Sequence, residues 1–566
     1  MVVPIPSSGK AWLNKIFRWC GGHPYGDLTL AVLAMLGPFV AKPFNIDDPL
    51  FIWTARQIQA HPADPYGFDV NWYGDTEPMW GVTENPPLAS YGLALAAKFL
   101  GWSEPALHAA FLLPALAVIL GTYRLARRFC FSPMLAALAT LCMPVFAVSS
   151  TTVMCDVLML AFWVWAVVWW LEGLEGDDGW RLGGAGLLIA LAVMTKYFGA
   201  CLIPLLAAVG VMEKRRWGRW AAYLLIPLAA MGAYQWITWA LYGHALLTDA
   251  MKYAGYAKVF FGFTGFASSL TALTFTGGCL AVVPLFTLLL GRTRRLAVWA
   301  GGTALIIGLL FHGEMFAHYP WLQGAGCGLV ALQIIFWATG GGGVLALVLA
   351  DMWGRRDAHS GLLGLWVGGV FLFTVFFNWT VNGRSLLPMA PAVGILLARR
   401  LEQTKLTRGK NWPAGVGLGL AAAGGLALLV TRADFVLATA VRQSAQQVSA
   451  KYSSVQQTLW YQGHWGFQFY MEALGASPFD IWHGHPKAGE FLAVPLNNAS
   501  LSLPKPERAS QVEVIKVPGP RRLTTWSGGA AGGFYAASRA PLPFAFNHVP
   551  SEVVIVYGWL PAPPPQ

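Results

Sequence analysis

The stretch Phe44-Asn45-Ile46-Asp47-Asp48-Pro49-Leu50-Phe51, FNIDDPLF, sets two adjacent carboxylates directly after an apolar run. The 566-residue chain is 56% hydrophobic and 11% charged. A soluble globular protein carries about 25% charged residues, so the composition is that of a membrane protein. Apolar runs recur as far as Val430, many near the ~20 residues that cross a bilayer as a helix. FNIDDPLF therefore stands where the chain leaves a first span, expected at about residues 28 to 43 and read as an uncleaved signal anchor.

The net charge of +11 is spread over short basic clusters between apolar runs. That pattern sets topology and argues against a nucleic-acid partner. Lys10, Lys15 and Arg18 precede the first span and place the N-terminus in the cytoplasm. Arg124 to Arg128, Lys214 to Arg219, Arg292 to Arg295, Arg355 with Arg356, and Arg399 to Lys410 then follow alternate spans on the same side. The count gives about thirteen transmembrane helices, with the run GGAGLLIALAVMTKYFGACLIPLLAAVGV open as one long helix or two short ones. Two regions follow: a multi-pass plasma (inner) membrane part, 1–430, and an external soluble α/β domain, 431–566. The seven cysteines all lie in the first part, so the second must hold together by its own core.

The first external segment, about 44–107, is acidic and aromatic, too long for a plain connector. Within it LFIWTARQI has helical periodicity, and PPLASYGLALAAKFLG begins with Pro86 and Pro87; both are predicted as interfacial helices. A carboxylate pinned between a span and such a helix is partly desolvated, which raises its basicity and suits Asp47 or Asp48 to general-base work. The alternative is a solvated helix exit. Asp156, in STTVMCDVLMLAFWV, is a helix-start carboxylate or part of the same site. Lys196, in LAVMTKYFGAC, sits among apolar residues where an unpaired cation is costly. Arg384, in FNWTVNGRSLLPMAP, is either a headgroup anchor or a bidentate ligand for phosphate. All four positions fall on the external side. Two acids and two bases there suit activation of a nucleophile beside an anionic leaving group. Other signals are weaker: His312, Glu314 and His318 in FHGEMFAHYP, and His483 and His485 in IWHGHP, are unspecific. There is no phosphate-binding loop, dinucleotide fingerprint or nucleophile elbow.

In their order these motifs resemble the GT-C glycosyltransferases of the protein O-mannosyltransferase and aminoarabinose transferase type. DDPLF is similar to that family's acidic pair, ENPPLASYGLALAAKFLG to its Pro-Pro-Leu helix, MCDVLMLAFWV to its second acidic motif, and TKYFG and GRSLLPMAP to its later basic motifs. The resemblance covers roughly the first 400 residues. It implies an inverting transfer of a sugar from a polyprenyl-phosphate donor to an acceptor hydroxyl on the external face. Asp47 would be the base with Asp48 its neighbour, Asp156 would shape the pocket, and Lys196 and Arg384 would hold the lipid phosphate. Glu84 and Asn85 are carried over as substrate-binding, although Asn85 stands where many members have Lys. Asp48 replaces the usual Glu, and Ser385 the usual aromatic. No third carboxylate stands at a metal-binding spacing, so neither a metal nor another cofactor is expected. The acceptor is a protein, a glycolipid or a polysaccharide. A non-enzymatic lipid or sugar flippase, and a polysaccharide polymerase or ligase, are the competing readings.

In the C-terminal region GHWGFQFYMEALGA is predicted as a turn entering a helix, and SQVEVIKV and SEVVIVYGWL as strands. The expected role of this region is accessory.

Overall fold

The computed structural model describes residues 23–83, 85–260, 265–290, 319, 327–405, 412–453, 457–499 and 501–561. Among these, seven helices are long and apolar enough to cross a membrane: Glu104–Phe129, Asp156–Gly176, Tyr197–Lys214, Arg219–Tyr242, Gly328–Arg355, Ala358–Phe376 and Ala414–Tyr452. Other apolar runs among the described residues form shorter helices, such as Pro133–Leu141 and Pro144–Ser149. The run 291–318, with His312, Glu314 and His318, lies outside the described residues.

The first apolar run folds as α1 (Pro24–Leu36) and a 3-10 turn (Gly37–Phe39), so it ends earlier than expected. Pro38 and Pro43 cannot supply the amide protons that would continue the helix. Helix α2 (Asp48–Ala60) then starts with Pro49 in its first turn, where a proline is tolerated. Helix α3 (Leu88–Leu100) follows Pro86 and Pro87 and stops at Gly101, whose φ of +82° suits glycine. These are the two helices expected in the first external segment. Helix α4 (Glu104–Phe129) is capped by the Ser103 side chain and has Arg127 and Arg128 in its last turn, complementing the helix dipole.

Helix α5 (Asp156–Gly176) turns back into α6 (Gly179–Thr195) through Asp178, whose carboxylate accepts the Trp180 and Arg181 amides. The ambiguous run resolves into two helices. Lys196 is extended, with φ −154° and ψ +130°, and separates α6 from a 3-10 turn and α7 (Leu202–Lys214).

Helix α8 (Trp412–Tyr452) has 41 residues and runs unbroken through position 430, where the sequence placed a domain boundary. At 1.5 Å per residue it is about 60 Å long, roughly twice the hydrocarbon thickness. Its far end carries a five-stranded sheet built from β1 (Leu459–Tyr461), β2 (Ser477–Pro478), β3 (Phe491–Pro495), β4 (Ala509–Val517) and β5 (Glu552–Trp559). The spatial order is β2-β1-β3-β5-β4, with β1 parallel to both its neighbours and β5 antiparallel to β3 and β4. Helix α9 (Trp465–Ala473) follows β1. The predicted turn, helix and two strands are all present.

This region does not stand on a core of its own. Its buried residues, Phe467, Met471, Phe534 and Leu542 among them, are continuous with the apolar core of the membrane helices. Polar bonds reinforce the junction. Tyr470 donates to Glu104 at 2.6 Å and accepts the Phe44 amide at 2.9 Å, and Asp480 accepts both the backbone and the hydroxyl of Thr76. Deepest is Asp434 on α8. It pairs with Lys42 at 2.5 Å and accepts from Thr525 at 2.6 Å and from Tyr535 at 2.9 Å, all four residues being buried.

A buried ion pair is costly to break on one side only, because the remaining charge is stranded. Lys42→Ala or Asp434→Ala should each cost about 3–5 kcal/mol, read as unfolding in detergent. The double substitution Lys42→Met with Asp434→Leu should cost less than either single. A double variant as unstable as the sum of the two would show that no such pair exists.

Candidate active site

Four of the charged residues singled out in the sequence meet in one continuous chain. Asp156 is the first residue of α5 and its side chain is 1% exposed. Its Oδ1 accepts Lys196 Nζ at 2.6 Å and its Oδ2 accepts Arg384 Nε at 2.9 Å. Arg384 continues through Nη1 to Asp47 Oδ2. The order of charges is minus, plus, minus, plus, so the buried part is balanced without a counter-ion. Exposure rises toward both ends, 31% at Asp47 and 18% at Lys196. The two ends are where a ligand can touch.

Local backbone explains each placement. Asp47 is the N-cap of α2 and follows Ile46, a β-branched residue at φ +51°. Such a residue in the left-handed region is strained, a feature that clusters at functional sites. Lys196 reaches Asp156 because the helix breaks there. Arg384 lies in the short turn Gly383–Leu386, capped by Asn382, which accepts the Ser385 amide at 2.7 Å. Gly383 donates its amide to the Phe534 carbonyl at 2.8 Å, and a Cβ there would come within 2.6 Å of the Phe534 ring. The C-terminal region therefore holds the arginine's turn directly.

Asp48 is fully buried and does not join the chain. Its two oxygens accept the backbone amides of Asn45 and Val153, each at 3.0 Å. Val153 belongs to the segment leading into α5, so Asp48 ties the Asp47 turn to the Asp156 turn. Burial pushes its carboxyl up to about 7, against the opposing pull of Lys42 and the two amides. Asn85 lies apart: its carbonyl accepts the Tyr66 hydroxyl at 2.7 Å, and no contact of its side chain with the charged chain is present among the described residues. Glu84 lies outside the described residues.

Sequence reading missed several neighbours. Lys42 stands two residues before Phe44, and Asp434 in the apolar run LALLVTRADFVLATAV; an ionisable residue in such a run is a usable signal. His464 and Tyr535, from the C-terminal region, gave none. The Asp47 carboxylate acts on the His464 ring, and the Tyr535 hydroxyl feels Asp48 and Arg384. His483 and His485 sit instead around Asp480. No group of three or more potential metal ligands occurs among the described residues.

Residues 84–239 match the family model of dolichyl-phosphate-mannose-protein mannosyltransferase, in keeping with the GT-C resemblance of the ordered motifs. No curated protein matches the chain significantly. Several solved structures are similar to it, among them the following three. The oligosaccharyltransferase of Archaeoglobus fulgidus, tethered with an acceptor peptide, is 14% identical over 82% of this chain and 64% of that one, with a TM-score of 0.46. ArnT from Cupriavidus metallidurans bound to undecaprenyl phosphate is 14% identical over 84% and 94%, with a TM-score of 0.43. The mycobacterial arabinofuranosyltransferase AftD is 13% identical over 95% and 40%, with a TM-score of 0.39. The chain thus spans less than two thirds of the length of the first and third.

The raised carboxyl of Asp48 fixes the sign of a pH effect. Between about pH 4 and 7 the folded chain holds a proton there that the unfolded chain has lost, so this group's contribution to stability falls as pH rises through the window. Asp48→Asn should flatten that part of the profile. Melting curves of the two proteins that run parallel from pH 4 to 8 would remove the titration from Asp48.

Proposed function

We propose that this chain is a membrane glycosyltransferase that moves a sugar from a polyprenyl-phosphate donor to an acceptor hydroxyl, with inversion, on the external face. The observation that carries the reading is the chain Asp47–Arg384–Asp156–Lys196, two carboxylates and two cations held together in one cluster. The family match over residues 84–239 supports the donor class. Sidedness is supported by charge. Helix α4 begins beside Phe44 and Tyr470, whereas its other end bears Arg124 and Arg128, paired with Glu172 and Glu175. Basic residues favour the cytoplasmic side, so the site faces out.

In this reading each charged residue has one role. Lys196 and Arg384 bind the donor phosphate, Arg384 through the planar fork that suits phosphate oxygens. A phosphate drawn to Arg384 competes with Asp47 for the same guanidinium, and so leaves the Asp47 carboxylate to the acceptor. Asp47 takes the hydroxyl proton as the acceptor oxygen bonds to the anomeric carbon. On the opposite side the carbon–oxygen bond to phosphate breaks, and the polyprenyl phosphate leaves with the electron pair, its charge stabilised by the two cations. One displacement inverts the anomeric centre. Asp48, enclosed by backbone amides, holds the base in place and does not touch substrate. Asp156 keeps Lys196 and Arg384 at their spacing.

The reading is tested with purified full-length chain, labelled undecaprenyl-phosphate donors carrying mannose, glucose or aminoarabinose, and membranes from a strain lacking the chain as acceptor. Asp47→Asn should lower transfer by about a hundredfold or more, the scale of a lost general base, with undecaprenyl phosphate binding retained. Lys196→Met should weaken that binding instead. Transport of the lipid without sugar transfer by the wild type would favour a flippase.

A further inference from the structure

Helix α4 starts at Glu104, beside Tyr470, and its last two turns carry Arg124, Arg127 and Arg128. These three arginines line an open cavity of about 690 Å³, within the ~300–1,000 Å³ usual for ligand sites. Glu172 and Glu175 at the end of α5, Arg181 at the start of α6, and His359 at the start of the helix Ala358–Phe376 complete its wall. At 1.5 Å per residue the 26 residues of α4 extend about 39 Å, the width of a bilayer with part of its headgroups. The cavity therefore stands at the membrane face opposite Glu104, and no member of the charged chain lines it.

The carboxylates hold the arginines in place without matching all of them. Glu172 Oε1 accepts Arg124 Nε at 3.0 Å and Nη2 at 2.8 Å, while its Oε2 accepts Arg181 Nη1 at 2.8 Å. One side chain of α5 thus ties α4 and α6 together. Arg128 pairs with Glu175. His359 meets the Phe129 ring edge-on, with centroids 4.8 Å apart, and its Nε2 lies 3.9 Å from Glu213. Arg127 is exposed and has no ion-pair or hydrogen-bond partner among the described residues. Four guanidiniums face two carboxylates in the lining, and Asp178, which meets Arg181 at 3.4 Å, reduces the excess to one positive charge. Loop charges that only set topology need no common cavity. Guanidiniums converging on one space, three of them held by carboxylates and one without a partner, suit the oxygens of a phosphate.

The rim of the cavity points to a lipid as the carrier of that phosphate. Phe131, just past the end of α4, is 98% exposed, and Trp180, next to Arg181, is 82% exposed. Leu187, two turns along α6 from Trp180 and on the same face, is exposed as well. Aromatic residues in the open at the end of a membrane helix mark headgroup level. We propose that this cavity is a headgroup site for an anionic phospholipid of the cytoplasmic leaflet, with Arg127 donating to the phosphodiester and Arg124, Arg128 and Arg181 surrounding it. Basic pockets between membrane helices on that side take such headgroups, and one phosphodiester charge answers the excess in the lining. The inference goes beyond the transfer reading and does not depend on it.

The test is native mass spectrometry of purified, delipidated full-length chain titrated with phosphatidylglycerol or with phosphatidylcholine. The wild type should bind phosphatidylglycerol about tenfold more tightly than phosphatidylcholine. Arg127→Gln should weaken phosphatidylglycerol binding about tenfold, the scale of one lost hydrogen bond to a charged group. Its melting temperature should stay at the wild-type value, since no described partner loses a contact. Arg127→Lys, which keeps the charge and loses the fork, should fall between the two. Arg216→Gln removes an exposed cation outside the cavity and should bind as the wild type does. The proposal is overturned by equal affinity for the two lipids, by wild-type binding in Arg127→Gln, or by equal losses in Arg127→Gln and Arg216→Gln. Displacement of phosphatidylglycerol by millimolar glycerol phosphate also overturns it, because the ligand is then a dissolved phosphate. If Arg127→Gln does not fold, Arg127→Lys against Arg216→Gln makes the same comparison.

Discussion

One buried carboxylate, Asp156, sets the terms for the rest of the site. An ionised group taken out of water is stable only if paired and fully hydrogen-bonded. Asp156 has both oxygens occupied, by Lys196 and by Arg384. Satisfying it requires a helix to start at 156, another to end at 195, and a tight turn at Gly383–Leu386. Three distant breaks in the chain thus answer one electrostatic requirement. Arg384 passes the requirement on to Asp47, and the strained φ at Ile46 is tolerated because that contact and the Asp48 anchor hold the turn.

The charged residues of this chain were legible in the sequence for the same reason. Lys196 and Asp156 lie among apolar residues, where charge without a purpose is costly. Span parity put them with Asp47 and Arg384 on one side, and the structure brings the four into contact. What the pattern of apolar runs does not carry is where helices break. A run is equally apolar whether it forms one span or two short buried helices, so counting runs does not by itself fix the number of spans. Lys196 itself marks such a break.

Asp434 lies just past the boundary expected at 430, on a helix that runs unbroken through it. Apolar density fades near Val430, yet α8 continues to Tyr452. Helices do not stop where the solvent changes; they stop where capping or proline ends the hydrogen-bond ladder. The extra length lets Asp434 reach Lys42 and carries the sheet against the 44–107 segment. His464 gave no signal because a histidine beside aromatic residues is unremarkable in sequence.

These contacts change what the C-terminal region is for. Its Phe534 carbonyl positions Gly383, its Thr525 and Tyr535 complete Asp434, and its Gly466 packs on Phe44 and Asn45. The first and last of these touch backbone directly preceding Arg384 and Asp47, and the middle pair completes the Asp434–Lys42 ion pair. An accessory domain tethered by a linker could be moved without disturbing those distances; this one cannot. The site is shared between the membrane helices, which supply its charges, and the region beyond α8, which fixes the turns that present them.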